Sequence, residues 1–554
     1  MQLFKRLVRS PKKKTIFRKR QSRTRPVSAP HSSGAGGGTR HDNGVASREG
    51  TQRNSFTPSL GPSSHNESSV AARLPEKVLA CIFSFVCPHS LDESYESAEK
   101  STTELGCMLC DMRELARMSL VCTRWNQAAQ CLQYKSIRLD SVHYCGLEEE
   151  LQARRKRGSF FQKQLSPLEI PEHRMRLLYR TFQDNEVVAN LVQFLKMPYM
   201  TRETCKQDLA RLVSLLPNLR YVDLPDGVYQ DDPSCASLKA ILYTRCPELQ
   251  KMTWVSGSEK NFVDLWVEPP WLKLEVVELS EMKVENPDLV RVLSSMPYLK
   301  NLKVKAMPWT SDAIFDSTST DVGLFPALQT FEIEDISQVT IDGLCAYLSR
   351  PAVASSLQTL AITNSENVPA HLLHRVLALA TSLTALTIRE QVSRTIPRTD
   401  VPLFSSQSLR SLSYEITDNT LTKNLAKPSP SYYAYLSESL WDAGLPKLKT
   451  LRVRETTFHN RLQNDKAKKA GGAFNTAVGW AQELDVYSKG PDHMEWARYR
   501  VSEARGGNVV VKPVSERTTM QNRADVGGRM YLAVPADDDL SKKEKRRSRQ
   551  DLWR

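Results

Sequence analysis

One short phrase returns nine times between residues 210 and 455: an apolar residue, two others, an apolar residue, one other, an apolar residue. It reads Leu219/Val222/Leu224, Leu249/Met252/Trp254, Leu274/Val277/Leu279, Leu299/Leu302/Val304, Leu328/Phe331/Ile333, Leu357/Leu360/Ile362, Leu383/Leu386/Ile388, Leu409/Leu412/Tyr414 and Leu448/Leu451/Val453. The leading residues are separated by 30, 25, 25, 29, 29, 26, 26 and 39 positions. Between phrases, apolar residues recur at the i, i+3, i+4, i+7 spacing of one helix face, as in Leu209/Leu212/Val213/Leu216, Leu289/Val292/Leu293/Met296, Ile341/Leu344/Cys345/Leu348 and Leu373/Val376/Leu377/Ala380. Strand and helix therefore alternate. A unit this small cannot bury its apolar face alone, so each must stack on the next.

Most of the spacings lie within or near the roughly 20 to 29 residues of leucine-rich repeats. The expected fold class is α/β: a curved solenoid over residues 141–500, with a parallel concave sheet and outer helices, and a cap or irregular segment over 501–540. A degenerate tenth strand is expected at Leu484 and Val486, and an end cap at Val509 to Val514. Period-2 geometry sends the phrase residues inward and their neighbours onto the concave face. Of these neighbours, Tyr221, Asp223, Lys303, Lys305, Arg389, Arg452 and Arg454 are the candidate target-binding residues. Signs are mixed along the middle, and Arg389, Arg452 and Arg454 make the far end more basic. Arg forks suit carboxylates and phosphates, so an acidic or phosphorylated segment fits there, although exposed Arg also serves simply to keep a surface soluble.

The net charge of +14 sits at the ends. Residues 1–70 hold fourteen Lys/Arg against three acids, +11, and residues 541–554 contribute +5, leaving −2 for 71–540. A nearly neutral body argues against a basic globular nucleic-acid-binding domain. The first 70 residues are rich in Ser, Gly, Pro and Arg, with too few apolar groups to offset the entropy of ordering them, and are read as a disordered basic tail, as are 541–554. The clusters Lys12-Lys13-Lys14 and Arg18-Lys19-Arg20 fit nuclear addressing, weak nucleic-acid contact or a merely solvated tail. Leu3, Phe4, Leu7 and Val8 at helical spacing in an acid-free opening also resemble a mitochondrial leader. No run of 18 apolar residues occurs, so no membrane span is expected. Eleven cysteines, an odd number, without an apolar leader segment, point to reduced intracellular thiols.

Residues 71–140 read as a separate all-α unit. After Leu74-Pro75-Glu76 a short helix is expected, with Val78, Ile82 and Phe85 as one apolar ridge and Leu79, Phe83 and Val86 as a second beside it. Two ridges exceed what a surface helix needs. A second helical stretch is expected from an N-cap near Asp111 through Leu115 to Trp125, continuing past Ala128, Ala129 and Leu132 to Tyr134. At about 60 residues such a unit has a marginal core and needs a neighbour, either the following domain or a partner protein.

This stretch resembles the F-box family. Leu74-Pro75-Glu76, Val78-Leu79, Ile82-Phe83, Pro88, Leu115, Ser119-Leu120-Val121-Cys122 and Arg124-Trp125 follow the family's pattern in order, and Tyr134 to Leu139 leads into the second domain as it does there. The loop from Val86 to Asp111 is longer than is usual in the family. The resemblance implies a substrate receptor of an SCF-type cullin–RING ubiquitin ligase, located in the nucleus, the cytoplasm or both. The F-box would hold the Skp-type adaptor and the repeats the target. It also implies an adaptor-binding set of Leu74, Pro75, Leu79, Ile82, Phe83, Leu120, Val121 and Trp125. Trp125→Ala is expected to cost about 3 to 5 kcal/mol if the indole is fully buried.

Catalytic motifs are absent from the sequence: there is no Gly-x-x-x-x-Gly-Lys loop, no His-Glu-x-x-His and no Gly-x-Ser-x-Gly. Neither an enzyme nor a cofactor is expected. Cys87, His89, Cys107 and Cys110 form a weak zinc candidate against a reading as plain thiols. The alternative function is a nuclear scaffold whose basic tails bind nucleic acid, without a ligase role.

Overall fold

The computed structural model describes residues 74–86, 112–139, 169–316, 323–397, 401–419, 427–441, 444–469, 483–489, 496–503 and 509–513. All of them belong to one unit, Asn66–Arg554. The fold is mixed α/β and is built on a long, mostly parallel sheet. Three strands come first: β1 (Ser136–Arg138), β2 (Phe194–Lys196) and β3 (Tyr221–Val222), all parallel. Eleven follow. β4 (Lys251–Val255), β5 (Val276–Ser280), β6 (Asn301–Lys305), β7 (Thr330–Glu334), β8 (Thr359–Thr363), β9 (Ala385–Val392), β10 (Ser411–Asp418), β11 (Thr450–Val453) and β12 (Glu483–Ser488) run parallel in sequence order. β13 (Ala497–Glu503) and β14 (Val509–Pro513) return antiparallel to one another and to β12.

Every one of the nine phrases lands on a strand, and from β4 to β11 the phrases pair in matched register. Leu302, for example, faces Val277 on one side and Phe331 on the other. In β4, β6, β7 and β8 the second and third apolar residues of the phrase alternate with half-exposed neighbours, so Met252 and Trp254 are buried while Lys251 and Thr253 are not. The polar residue before each strand repeats one backbone contact. Its carbonyl accepts two successive N–H groups of the next unit, as when Gln329 O takes Gln358 N at 2.8 Å and Thr359 N at 3.0 Å. The contact also joins the two sheets, since Gln250 N donates to Arg220 O at 2.9 Å. Stacking thus satisfies the strand-entry amides that one unit would leave unpaired.

Four strand exits repeat as well. Glu281, Ala306, Asp335 and Asn364 immediately follow β5 to β8 and adopt φ of 56°, 46°, 53° and 50°. This left-handed step reverses the chain away from the sheet, and each N–H there donates across to the next strand's end, as Ala306 N does to Glu334 O at 2.8 Å. The expected helices lie at Lys206–Val213, Asn286–Ser294 and Ile341–Leu348. The fourth is a 3₁₀ turn, Ala370–Leu372, followed by a short helix, His374–Leu379. Their apolar faces and the inward strand residues form one continuous core. Inside it Phe315, Phe325, Phe331 and Tyr347 pack ring on ring, and the fully buried Tyr347 hydroxyl donates to Pro326 O at 2.8 Å and accepts from Leu328 N at 3.2 Å.

The N-terminal helices are α1 (Glu76–Ser84), α2 (Met112–Met118) and α3 (Thr123–Lys135). The expected single stretch from Asp111 to Tyr134 is therefore two helices. The chain breaks at Ser119 to Cys122, where the Ser119 hydroxyl turns back onto Ala116 O at 2.7 Å and Cys122 is fully extended, with φ −161°. A hydroxyl competing for a helix carbonyl and a β-branched Val121 both disfavour continuation. Asp111 lies outside the described residues, as do both charged tails. The expected divisions near 140 and 500 fall just after β1 and within β13. No helix among the described residues is long and apolar enough to cross a membrane.

Candidate functional site

Two surfaces carry the residues singled out by sequence. The first is on α1 to α3. Leu79, Phe83, Leu115, Ala128 and Ala129 form a small core of their own, distinct from the core under the sheet, with Leu74, Val86, Met118, Trp125 and Leu132 packed around it. The two alanines let α1 approach α3 closely, and Phe83 meets Trp125 edge-on at 5.1 Å. Of the two ridges on α1, the one with Leu79, Phe83 and Val86 is consumed by this core. The other is not: Val78, Ile82 and Phe85 are 42, 46 and 64% exposed, and Leu120 and Val121 in the break between α2 and α3 are 85 and 58% exposed.

The expected adaptor-binding set therefore divides by placement. Ile82, Leu120 and Val121 are exposed apolar groups, Pro75 is exposed at the N-cap of α1, Leu74 and Trp125 are half-buried, and Leu79 and Phe83 are fully interior. The indole of Trp125 is thus not wholly buried. Val78 and Phe85 join the exposed group although the expected adaptor-binding set left them out. Their signal was present as the i, i+4, i+7 spacing with Ile82.

The second surface is the face of the sheet opposite the helices. Tyr221 and Asp223 are locked there: the Tyr221 hydroxyl donates to Asp223 at 2.7 Å, and Asp223, nearly buried, accepts Met197 N at 2.7 Å. Asp223 holds the chain leaving β2 and has little left to offer a ligand. Lys303 and Lys305 lie beside Glu332 and Glu334 of the next strand, at 3.7 and 2.8 Å. Lys251 meets Glu278 at 2.9 Å in the same way. Along the middle of the face, cation and anion thus alternate by strand and cancel.

At the far end, Arg389 and Arg454 flank one carboxylate, Glu415, at 3.2 and 3.8 Å. Glu415 is almost buried and also accepts the Ser413 hydroxyl at 3.1 Å. Arg452 is exposed, with its guanidinium 5.7 Å from the centre of the Tyr487 ring. Sequence reasoning missed Arg498, Arg500 and Lys512 because β13 and β14 lie outside the repeat, and it passed over Tyr487 on the degenerate strand β12. Asp485 takes Arg498 at 2.6 Å and Arg500 at 3.1 Å.

The zinc candidates Cys87, His89, Cys107 and Cys110 lie outside the described residues. Among the described residues no cluster of His, Cys, Asp and Glu could hold a metal, and the seven described cysteines are all free. Burial pushes the Cys246 thiol up to about 12, which keeps it protonated and unreactive. No family model matches this chain, and no curated protein matches it.

Proposed function

We propose that this chain is the substrate-recognition subunit of an SCF-type cullin–RING ubiquitin ligase. In this reading residues 71–140 are an F-box that docks the Skp-type adaptor, and the parallel sheet with its helices is a leucine-rich-repeat solenoid whose open, concave face holds the target. The chain performs no bond-making itself; it contributes proximity between the target and a conjugating enzyme carried by its partners. One observation carries the proposal. A module whose own core has five buried side chains leaves four large apolar groups, Val78, Ile82, Leu120 and Val121, between 42 and 85% exposed, with Phe85 partly exposed beside Ile82 on the same helix ridge. Large apolar groups exposed in this number on one small module mark an interaction surface.

The test uses the full chain and a purified Skp-type adaptor. Ile82→Asp and Leu120→Asp place charge on the exposed groups and leave Leu79, Phe83 and Leu115 untouched. Each is expected to weaken adaptor binding by at least tenfold, with an unchanged melting temperature. A wild-type chain that does not retain the adaptor, or Asp variants that retain it equally well, would overturn the reading.

A further inference from the structure

Charge on the open sheet face is not uniform. From β4 to β8 the outward residues include three bases, Lys251, Lys303 and Lys305, and three acids, Glu278, Glu332 and Glu334, paired one to one across strands. From β9 to β14 the strand registers place six bases on that face, Arg389, Arg452, Arg454, Arg498, Arg500 and Lys512, against Glu415, Glu483 and Asp485. Glu415 and Asp485 are each bracketed by two arginines; the Glu415 cluster holds one guanidinium charge in excess, while Glu483, 3.7 Å from Arg500, balances the Asp485 cluster and leaves Arg452 and Lys512 as further bases on this face. The bracketing also fixes the arginines. Arg389 commits Nε to Glu415, which leaves the terminal nitrogens of its fork for a ligand, whereas Arg500 is held at both ends, by Nε on Asp485 and by Nη1 at 3.7 Å from Glu483. Between the clusters runs a row set by register, Thr387, Ser413, Arg452, Tyr487 and Arg498. Arg452 and Arg498 both lie 5.7 Å from the Tyr487 ring centre, and among the described residues no carboxylate reaches Arg452.

We infer that this end of the sheet binds an extended acidic segment of a protein, with carboxylates or phosphates spaced at every third residue. The spacing follows from the strands. Arg389 on β9, Arg452 and Arg454 at β11, and Arg498 and Arg500 on β13 occupy alternate strands. Those strands lie about 9.5 Å apart at the usual inter-strand distance, which an extended chain covers in about three residues. A planar fork accepts a carboxylate or a phosphate bidentately, and both have the anionic oxygens this surface selects. The interleaved Glu415, Glu483 and Asp485 favour discrete charges over the unbroken phosphates of a nucleic acid. The inference deepens the proposed function by naming the class of target; it rests on that reading for the segment belonging to a ubiquitination target, but not for the binding itself.

The experiment uses the full chain and fluorescein-labelled twelve-residue probes. One is a Gly/Ser peptide with three Asp at every third position, the second carries phosphoserine at those positions, the third has the three Asp adjacent, and the fourth is a single-stranded DNA 12-mer. The spaced peptides are expected to bind more tightly than the adjacent-Asp peptide, and the better of the two identifies carboxylate or phosphate as the natural group. Arg452→Glu is expected to weaken binding at least tenfold, while Lys303→Glu changes it less than twofold. Equal losses in the two variants, no preference for spaced charge, or tighter binding of the DNA would each overturn the inference. Adaptor retention is measured alongside and is expected to be the same in both variants. Its absence in the wild type, with spaced-peptide binding intact, would remove the ligase reading and leave this site standing.

Discussion

Single side chains in this fold are chosen mainly by what the next unit requires of them. Glu390 is a case in point. On β9 it takes a register position between the inward residues Ile388 and Val392, and it accepts Ala370 N at 2.8 Å. Burial pushes its carboxyl above the ordinary 4.5, and the Ala370 bond offsets only part of that. A carboxyl whose folded value is raised favours the fold while protonated, and that contribution is lost as pH rises through the folded value. Glu390→Gln retains an acceptor and removes the charge. It is expected to raise the denaturation midpoint at pH 7 and to make no difference under acid conditions where both forms are neutral; a lower midpoint at pH 7 would contradict this. That Glu390 lies inside was not visible in the phrase, because β9 extends beyond the repeat's own strand length. Nor was the burial of Asp223, whose work is to hold Met197 N. By contrast the buried phrase residues, from Leu219 to Val453, were legible one by one, because period-2 alternation leaves no other side for them.

Among the elements, α3 links two cores. Trp125, Ala128, Ala129 and Leu132 belong to the small N-terminal core, whereas Tyr134, at the other end of the same helix, packs on Phe182 at 6.3 Å in the core under the sheet. The chain then enters β1 directly, and Lys135 O accepts Gln193 N at 2.9 Å. Since Trp125 is half-buried, the cost of Trp125→Ala falls to about 2 to 3 kcal/mol, below the value for a fully buried indole. Amide exchange in α1 should speed up in that variant while β4 to β8 keep their protection, because the two cores are separate; uniform acceleration would show one cooperative core. Helix content here was readable from apolar spacing, and so were the two ridges on α1. Which ridge faces inward was not, since that depends on where α3 presents Ala128 and Ala129. The break at Ser119 to Cys122 was also missed, because the apolar run continues straight through a turn whose cause is side-chain bonding to the backbone.

For the molecule as a whole, the repeat made the long, mostly parallel sheet legible in the sequence. Nine phrases gave nine strands, and the degenerate phrase at Leu484 and Val486 gave β12. The antiparallel return through β13 and β14 has no period to betray it, although Val509 to Val514 stood out as an apolar run. The return closes the core at that end with Val501, and it also supplies Arg498, Arg500 and Lys512 to the open face. The proposed division of labour rests on the chemistry of the two surfaces. An apolar patch on a small module suits a permanent partner held by water exclusion, while a charged, hydrogen-bonding face suits a ligand that must arrive and leave. The most direct measurement is amide hydrogen exchange of the full chain with and without the Skp-type adaptor. The account predicts new protection confined to residues 76–86 and 119–125, with exchange in β4 to β14 unchanged. Protection on the sheet strands instead, or none in α1 and the Ser119–Cys122 break, would contradict it.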